Sequence, residues 1–163
     1  MKQIPQGLKL NFSSSPTVAR FFKSDAFVRG IMGPVGSGKS YACCAEIFRR
    51  AVEQKPSPRD GIKYSRFAIV RNTHPMLRTT TLKTWLELLP EDVWGPVKYA
   101  PPITHHIKLP PRDGAAGIDM EVIFLALDDP KDTRKLLSLE LTGAWVNECR
   151  ELPKAVIDGL THR

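Results

Sequence analysis

The segment Gly33-Pro34-Val35-Gly36-Ser37-Gly38-Lys39-Ser40 limits what this chain can fold into more than any other. It satisfies G-x-x-x-x-G-K-[ST], and it lies between the apolar residues 28–32 and a helical pattern that begins at Lys39. A strand, a glycine-rich turn and a helix are the context that gives this motif meaning. The glycines let successive backbone N–H groups turn toward one anion. A helix starting at Lys39 adds its unpaired amides and the positive end of its dipole. Lys39 is placed to reach the β- and γ-phosphates, and the Ser40 hydroxyl to ligate Mg²⁺. A chance match somewhere in a chain of this length has odds on the order of one in a hundred. The residues Gly33, Gly36, Ser37, Gly38, Lys39 and Ser40 are therefore read as a nucleotide-phosphate site. The loop does not encode which nucleotide.

The 163 residues are 42% hydrophobic and 25% charged, a mixture that fits one globular domain without disulfide or metal staples. No apolar run approaches the ~20 residues that cross a bilayer, and the first residues are polar rather than secretory. The expectation is a soluble, non-secreted protein with no membrane partner. Cys43 and Cys44 are adjacent and Cys149 is distant; the spacing suits neither a metal nor a disulfide framework, and all three are expected as reduced core residues. The net charge of +7 is uneven: residues 1–81 hold fourteen Lys and Arg against four Asp and Glu, and residues 82–163 hold ten against thirteen. The basic half points to a polyanionic partner or to a solubilising surface.

Along the chain, residues 1–27 read as an irregular N-terminal arm, broken by Ser13-Ser14-Ser15-Pro16 and anchored by Phe21 and Phe22. A strand at 28–32 enters the loop, and a helix follows over 39–54. Further strands are expected at 67–71, 104–109, 120–127 and 144–147. Helices are expected after Pro75 to Leu89, from Pro130 and from Pro153, with residues 90–102 as loop. This alternation predicts an α/β domain with a mainly parallel sheet.

A phosphate loop that hydrolyses needs carboxylates at the end of a neighbouring strand, one toward the Mg²⁺ water shell and one toward the attacking water. Two segments compete. Val122 to Leu127 is a strong apolar strand ending in Asp128-Asp129, and Ala144 to Val146 is a weaker one ending in Asn147-Glu148. Pattern alone favours the first.

The loop at 33–40, the segment Val70-Arg71-Asn72-Thr73-His74-Pro75-Met76-Leu77-Arg78, and the stretch from Arg134 through Thr142-Gly143 to Asn147-Glu148 together resemble the N-terminal ATPase domain of the large terminase subunit, the DNA-packaging motor of tailed double-stranded DNA bacteriophages. The resemblance covers nearly everything from Val28 onward. It implies a three-layer P-loop NTPase fold of the ASCE type, with ATP and Mg²⁺ as cofactors. It moves the acidic site to Asn147-Glu148, with Glu148 as catalytic base and Asn147 toward Mg²⁺ through water, and it makes Asp128-Asp129 the close of an inserted hairpin. Much of the family has Asp where this chain has Asn147, and a basic residue within the loop where it has Pro34 and Val35. An amide oxygen accepts from a metal-bound water but brings no charge.

The partners implied are double-stranded DNA, a portal protein, a small terminase subunit and, on the portal, other copies of the chain in a ring. The compartment implied is the cytoplasm of the infected host cell. Family members continue with more of the ATPase sheet, a coupling motif and a nuclease domain, whereas this sequence stops fifteen residues past Glu148. Residues 28–163 are therefore expected to form a partial ATPase domain, with 144–147 beside 28–32 and the sheet incomplete at its C-terminal end.

Phosphoryl transfer also calls for an arginine. Arg71 and Arg78 follow the second strand, near the sheet edge where nucleotides lie, and Arg71 is read as a nucleotide contact. Arg134 precedes the acidic strand, where the resemblance implies an arginine offered to the next subunit. His105 and His106 are neighbours in a strand and face opposite ways, so they cannot share an ion. Two alternatives stay open beside the motor ATPase: a P-loop kinase or nucleotide transferase, and a nucleotide-binding fragment without turnover.

Overall fold

The structure, a computed structural model, describes residues 15–127 and 130–161. In chain order they form α1 (Pro16–Lys23), α2 (Lys39–Val52), β1 (Lys63–Arg71), α3 (His74–Met76), α4 (Lys83–Leu88), α5 (Glu91–Trp94), β2 (Val97–Lys98), β3 (Ile103–Leu109), β4 (Ile118–Ala126), α6 (Pro130–Ser138), β5 (Gly143–Val146) and α7 (Lys154–Thr161). A π-helical turn at Leu77–Leu82 joins α3 to α4 without a break, so the expected helix after Pro75 forms with its middle widened by an extra residue per turn. A 3₁₀ turn at Cys149–Glu151 follows β5.

The sheet has the order β2-β3-β4-β1-β5. β1 pairs in parallel with β4, from Lys63 opposite Ile118 to Arg71 opposite Ala126, and in parallel with β5, from Phe67 opposite Gly143 to Val70 opposite Val146. β3 pairs antiparallel with β2 and with β4. The fold is mixed α/β, but the sheet is half antiparallel rather than mainly parallel. The reason is the short connection Pro110 to Gly117, which returns the chain as a hairpin; a parallel return needs a crossover of a dozen residues or more.

β1 is buried on both faces because it lies between two helical layers, which is why it reads as an unbroken apolar run. Phe67 and Ile69 point into a core with Cys44, Ile47 and Ala51 of α2 and Trp85 and Leu88 of α4. Ala68 and Val70 point the other way, against Leu136 of α6 and Val156 of α7. Gly143 opens β5 where a Cβ would meet the Phe67 ring at 3.3 Å.

Three further expectations are corrected. Residues 28–32 do not form a strand and do not pair with β5; Val28 and Met32 are exposed. Arg29 is drawn elsewhere: its guanidinium pairs with Glu46 at 2.6 Å, donates to the carbonyls of Phe21 and Ser24, and stacks over the Phe21 ring. The segment is thereby tied to α1 and α2 instead of the sheet. Second, the arm is not irregular throughout. Pro16 at the start and Arg20 and Lys23 in the last turn suit a helix, and Val18 of α1 is buried while Phe22 packs on the core. Residues 1–14 lie outside the described ones. Third, Cys43 and Cys44 are buried, with burial pushing the Cys43 thiol up to about 12 and the Cys44 thiol higher still, but Cys149 is exposed.

Candidate functional site

The loop closes on itself through its lysine. Gly36 and Gly38 take left-handed backbone angles, φ +78° and +77°, which an L side chain rarely adopts. These turns bring residues 33 and 34 back over the start of α2. Lys39 Nζ then donates to the carbonyls of Gly33 and Pro34, both at 2.7 Å, and approaches Ser37 Oγ at 3.4 Å. Gly38 is the N-cap, and the first helical bond runs from Ala42 N–H to Gly38 O at 2.8 Å. The amides ahead of Ala42 have no carbonyl of the same helix to bond. An anion at this place meets backbone N–H groups, the helix dipole and one ammonium.

The direction of α2 decides what else shares the site. Lys63 Nζ, at the start of β1, donates to Val52 O at the end of α2. Helix and strand therefore run in opposite senses. The fourteen residues of α2 cover about 21 Å, most of the length of the nine-residue strand beside it. The loop is thus delivered to the C-terminal end of β1 and β5. Arg71 ends β1 there, and Asn147 follows β5 directly, its N–H bonded to Val70 O at 2.9 Å. By the alternation of each strand both side chains face the α2 layer: Arg71 continues from Phe67 and Ile69, and Asn147 from Trp145, which packs on the same core.

Asn147 is held in one orientation. Its Nδ2 donates to Thr81 Oγ1 at 2.9 Å, and Thr81 is buried in the π-helical turn. With Nδ2 turned to the Thr81 hydroxyl, Oδ1 is left as an acceptor. Ser40 and Asn147 thus offer hard oxygen donors of the kind that suit Mg²⁺ through its waters. Glu148 comes next, half-buried and in a left-handed conformation with φ +54°. Arg150 Nε lies 3.5 Å from its Oε2. Arg71 is 5% exposed, and its Nη2 sits 3.7 Å from Glu151 Oε2.

The structure therefore brings Lys39, Ser40, Arg71, Asn147 and Glu148 to one end of the sheet. It does not bring Arg134 there. Arg134 is exposed on α6, which packs on the opposite layer. Arg78 is exposed on the π-helical turn. The competing pair Asp128-Asp129 lies outside the described residues. His105 and His106 face opposite ways as expected: His105 is fully buried, and His106 bonds to Asp119 at the surface. Sequence reasoning missed Thr81 and Glu151. Thr81 is one of three consecutive threonines in a helical pattern, and only the extra residue of the π turn selects it to face Asn147.

Comparisons of the chain with protein-family models, with curated proteins and with solved structures find no match.

Proposed function

We propose that the chain binds ATP at the 33–40 loop and hydrolyses it, as the ATPase part of a terminase-like motor that drives double-stranded DNA into a viral procapsid. The observation that carries the ATP-binding part is the joint placement of the Lys39-closed loop and of Arg71, Asn147 and Glu148 at one sheet end. The motor part rests on the sequence resemblance to the P-loop NTPase fold of large terminases and on the basic half of the chain.

In this reading Lys39 exchanges its two loop carbonyls for the β- and γ-phosphate oxygens. Gly33, Gly36, Ser37 and Gly38 shape the cradle, and Ser40 and Asn147 hold the metal site. Mg²⁺, when bound, neutralises charge on the phosphates. Glu148 orients and deprotonates the attacking water, and Arg134 reaches the γ-phosphate of the neighbouring subunit in a ring on the portal. The small terminase subunit and the host-cell cytoplasm belong to the same proposal. No helix among the described residues is long and apolar enough to cross a membrane.

The test is phosphate release from ATP by the ring assembled on its portal, with and without duplex DNA and with no acceptor substrate. The expected result is DNA-stimulated release that Lys39→Ala and Glu148→Gln each remove. Binding of a fluorescent ATP analogue should be lost in Lys39→Ala and kept in Glu148→Gln. Turnover that needs an acceptor instead would move the reading to a kinase. Unchanged binding in Lys39→Ala would remove the phosphate site itself.

A further inference from the structure

We propose that Arg71 reads the terminal phosphate of a nucleoside triphosphate, and that Glu151 is the group it releases to do so. The proposal rests on the reading of residues 33–40 as a nucleotide site and assigns that site its means of telling triphosphate from diphosphate.

Arg71 is 5% exposed, and its Nε and Nη1 are buried without a hydrogen-bond partner among the described residues. Among the described residues its ion-pair partner is Glu151, at 3.7 Å from Nη2, a separation too long for a hydrogen bond. A guanidinium carries five N–H donors and no acceptor. Burying it with most of them unmet is costly unless an anion completes the set. The planar fork fits two oxygens of a phosphate at once. A purely structural arginine at a strand end would close these bonds on nearby carbonyls, as Arg29 does on Phe21 and Ser24. Arg71 does not.

Its position supplies the anion. Arg71 ends β1 on the α2 layer, beside Asn147, and α2 brings its N-terminal end and Lys39 to that end of the sheet. A diphosphate is held by the loop amides and Lys39; the additional terminal phosphate is the part left for Arg71. Glu151 lies in the 3₁₀ turn that follows Glu148, and its N–H donates to Glu148 O at 2.9 Å. When the fork turns to phosphate, Glu151 loses its partner, and the turn bearing the left-handed Glu148 loses an anchor. The state of the nucleotide is thereby transmitted to the base.

The test is competition against a fluorescent diphosphate analogue by a non-hydrolysable triphosphate and by ADP, using the whole chain with Mg²⁺. Arg71→Met should weaken triphosphate binding about tenfold or more, the worth of one charge-assisted hydrogen bond, and leave ADP within about twofold. Glu151→Gln, at a partly exposed position, should tighten triphosphate binding severalfold with ADP unchanged. If Arg71→Met does not fold, Glu151→Gln decides alone. Equal losses for both nucleotides in Arg71→Met, or no gain in Glu151→Gln, would overturn the proposal. If the unmodified chain and Lys39→Ala bind nucleotide equally well or not at all, the phosphate-loop reading fails first and this inference falls with it.

Discussion

The two sides of the sheet are built to different standards. On the β3–β4 side, the large buried polar side chains at the centre of the core are matched. Trp85 and His105 are fully buried, the indole N–H donates to His105 Nδ1 at 2.9 Å, and His105 Nε2 bonds to Gly95 O at 2.9 Å. The Phe124 ring meets Trp85 edge-on at 5.9 Å. On the β5 side, the last strand has four residues and one described neighbour. Next to it are a left-handed Glu148, a buried arginine with unmet donors, and a glycine loop whose Val35 is fully exposed. Unmet polar groups and strained backbone lower stability and persist where they serve a site. The well-packed side is the scaffold, and the poorly satisfied side is where the chemistry is expected.

The largest effect that could break this contrast is on stability. Trp85→Ala should cost about 3–5 kcal/mol, by removing a buried indole and leaving His105 Nδ1 without its donor. Met32→Ala, at an exposed position before the loop, should stay within about 0.5 kcal/mol. Urea unfolding midpoints at constant m-value measure both. A loss at Met32 comparable to that at Trp85 would mean that residues 28–32 are packed in solution and that the two sides are equally well built.

Much of the scaffold was legible in the sequence because its signals are local. The Phe67 to Arg71 run, the Pro-Pro-Arg-Asp-Gly return between β3 and β4 and the Lys39 helix follow from periodicity and turn chemistry. Residues 28–32 misled for a long-range reason: Val-Arg-Gly-Ile-Met is strand-like by composition, yet Glu46 takes the arginine. Burial raises the Glu46 carboxyl, but hydrogen bonds from Arg49, Arg50 and Arg29 outweigh it and hold it below the usual carboxylate range. α1 was hidden because its start coincides with a serine-proline break. In the site, the glycines and Lys39 could be read from spacing. The Thr81–Asn147 bond spans 66 positions, and the Arg71–Glu151 pair is set by two strand ends meeting, so neither leaves a mark in local pattern.

The second effect is on pH dependence and belongs to the scaffold alone. Burial lowers the His105 pKa below its ordinary 6.5, against opposing effects of the Gly95 carbonyl and Glu91 and together with the nearby His106. Nδ1 already accepts from Trp85, so a proton there would oppose the indole N–H. The unfolded chain therefore takes up the proton first as pH falls. The stability His105 contributes is complete above pH ~6.5 and is lost as pH falls from there through the folded pKa, by at most about 1.4 kcal/mol per pH unit for one proton. His105→Gln, able to accept from Trp85 and donate to Gly95, should flatten that window in urea unfolding measured from pH 7.5 to 5. An unchanged slope would place the acid sensitivity elsewhere.

The smallest effect sharpens the contrast most, because it sets stability against activity at one residue. Glu148 holds φ +54°, where a side chain carries a steric cost of about 1 kcal/mol that glycine avoids. Its side chain is half-buried, and Arg150, its ion-pair partner among the described residues, is exposed. That ion pair is worth little, since a surface pair contributes between about 0 and 1 kcal/mol. Glu148→Gly should therefore leave stability unchanged or raise it by up to about 1 kcal/mol, with the strain relief offset in part by the greater freedom of glycine in the unfolded chain. Elsewhere in the fold, removing a half-buried side chain is expected to destabilise. The same change should abolish ATP hydrolysis while leaving nucleotide binding intact, because it removes the carboxylate proposed above as the base. Glu148→Ala separates the two effects: it removes the carboxylate and keeps the strain, so it should be inactive without the gain. If Glu148→Gly is less stable than Glu148→Ala by urea unfolding, the left-handed turn is not strained and the β5 side is better built than its geometry implies.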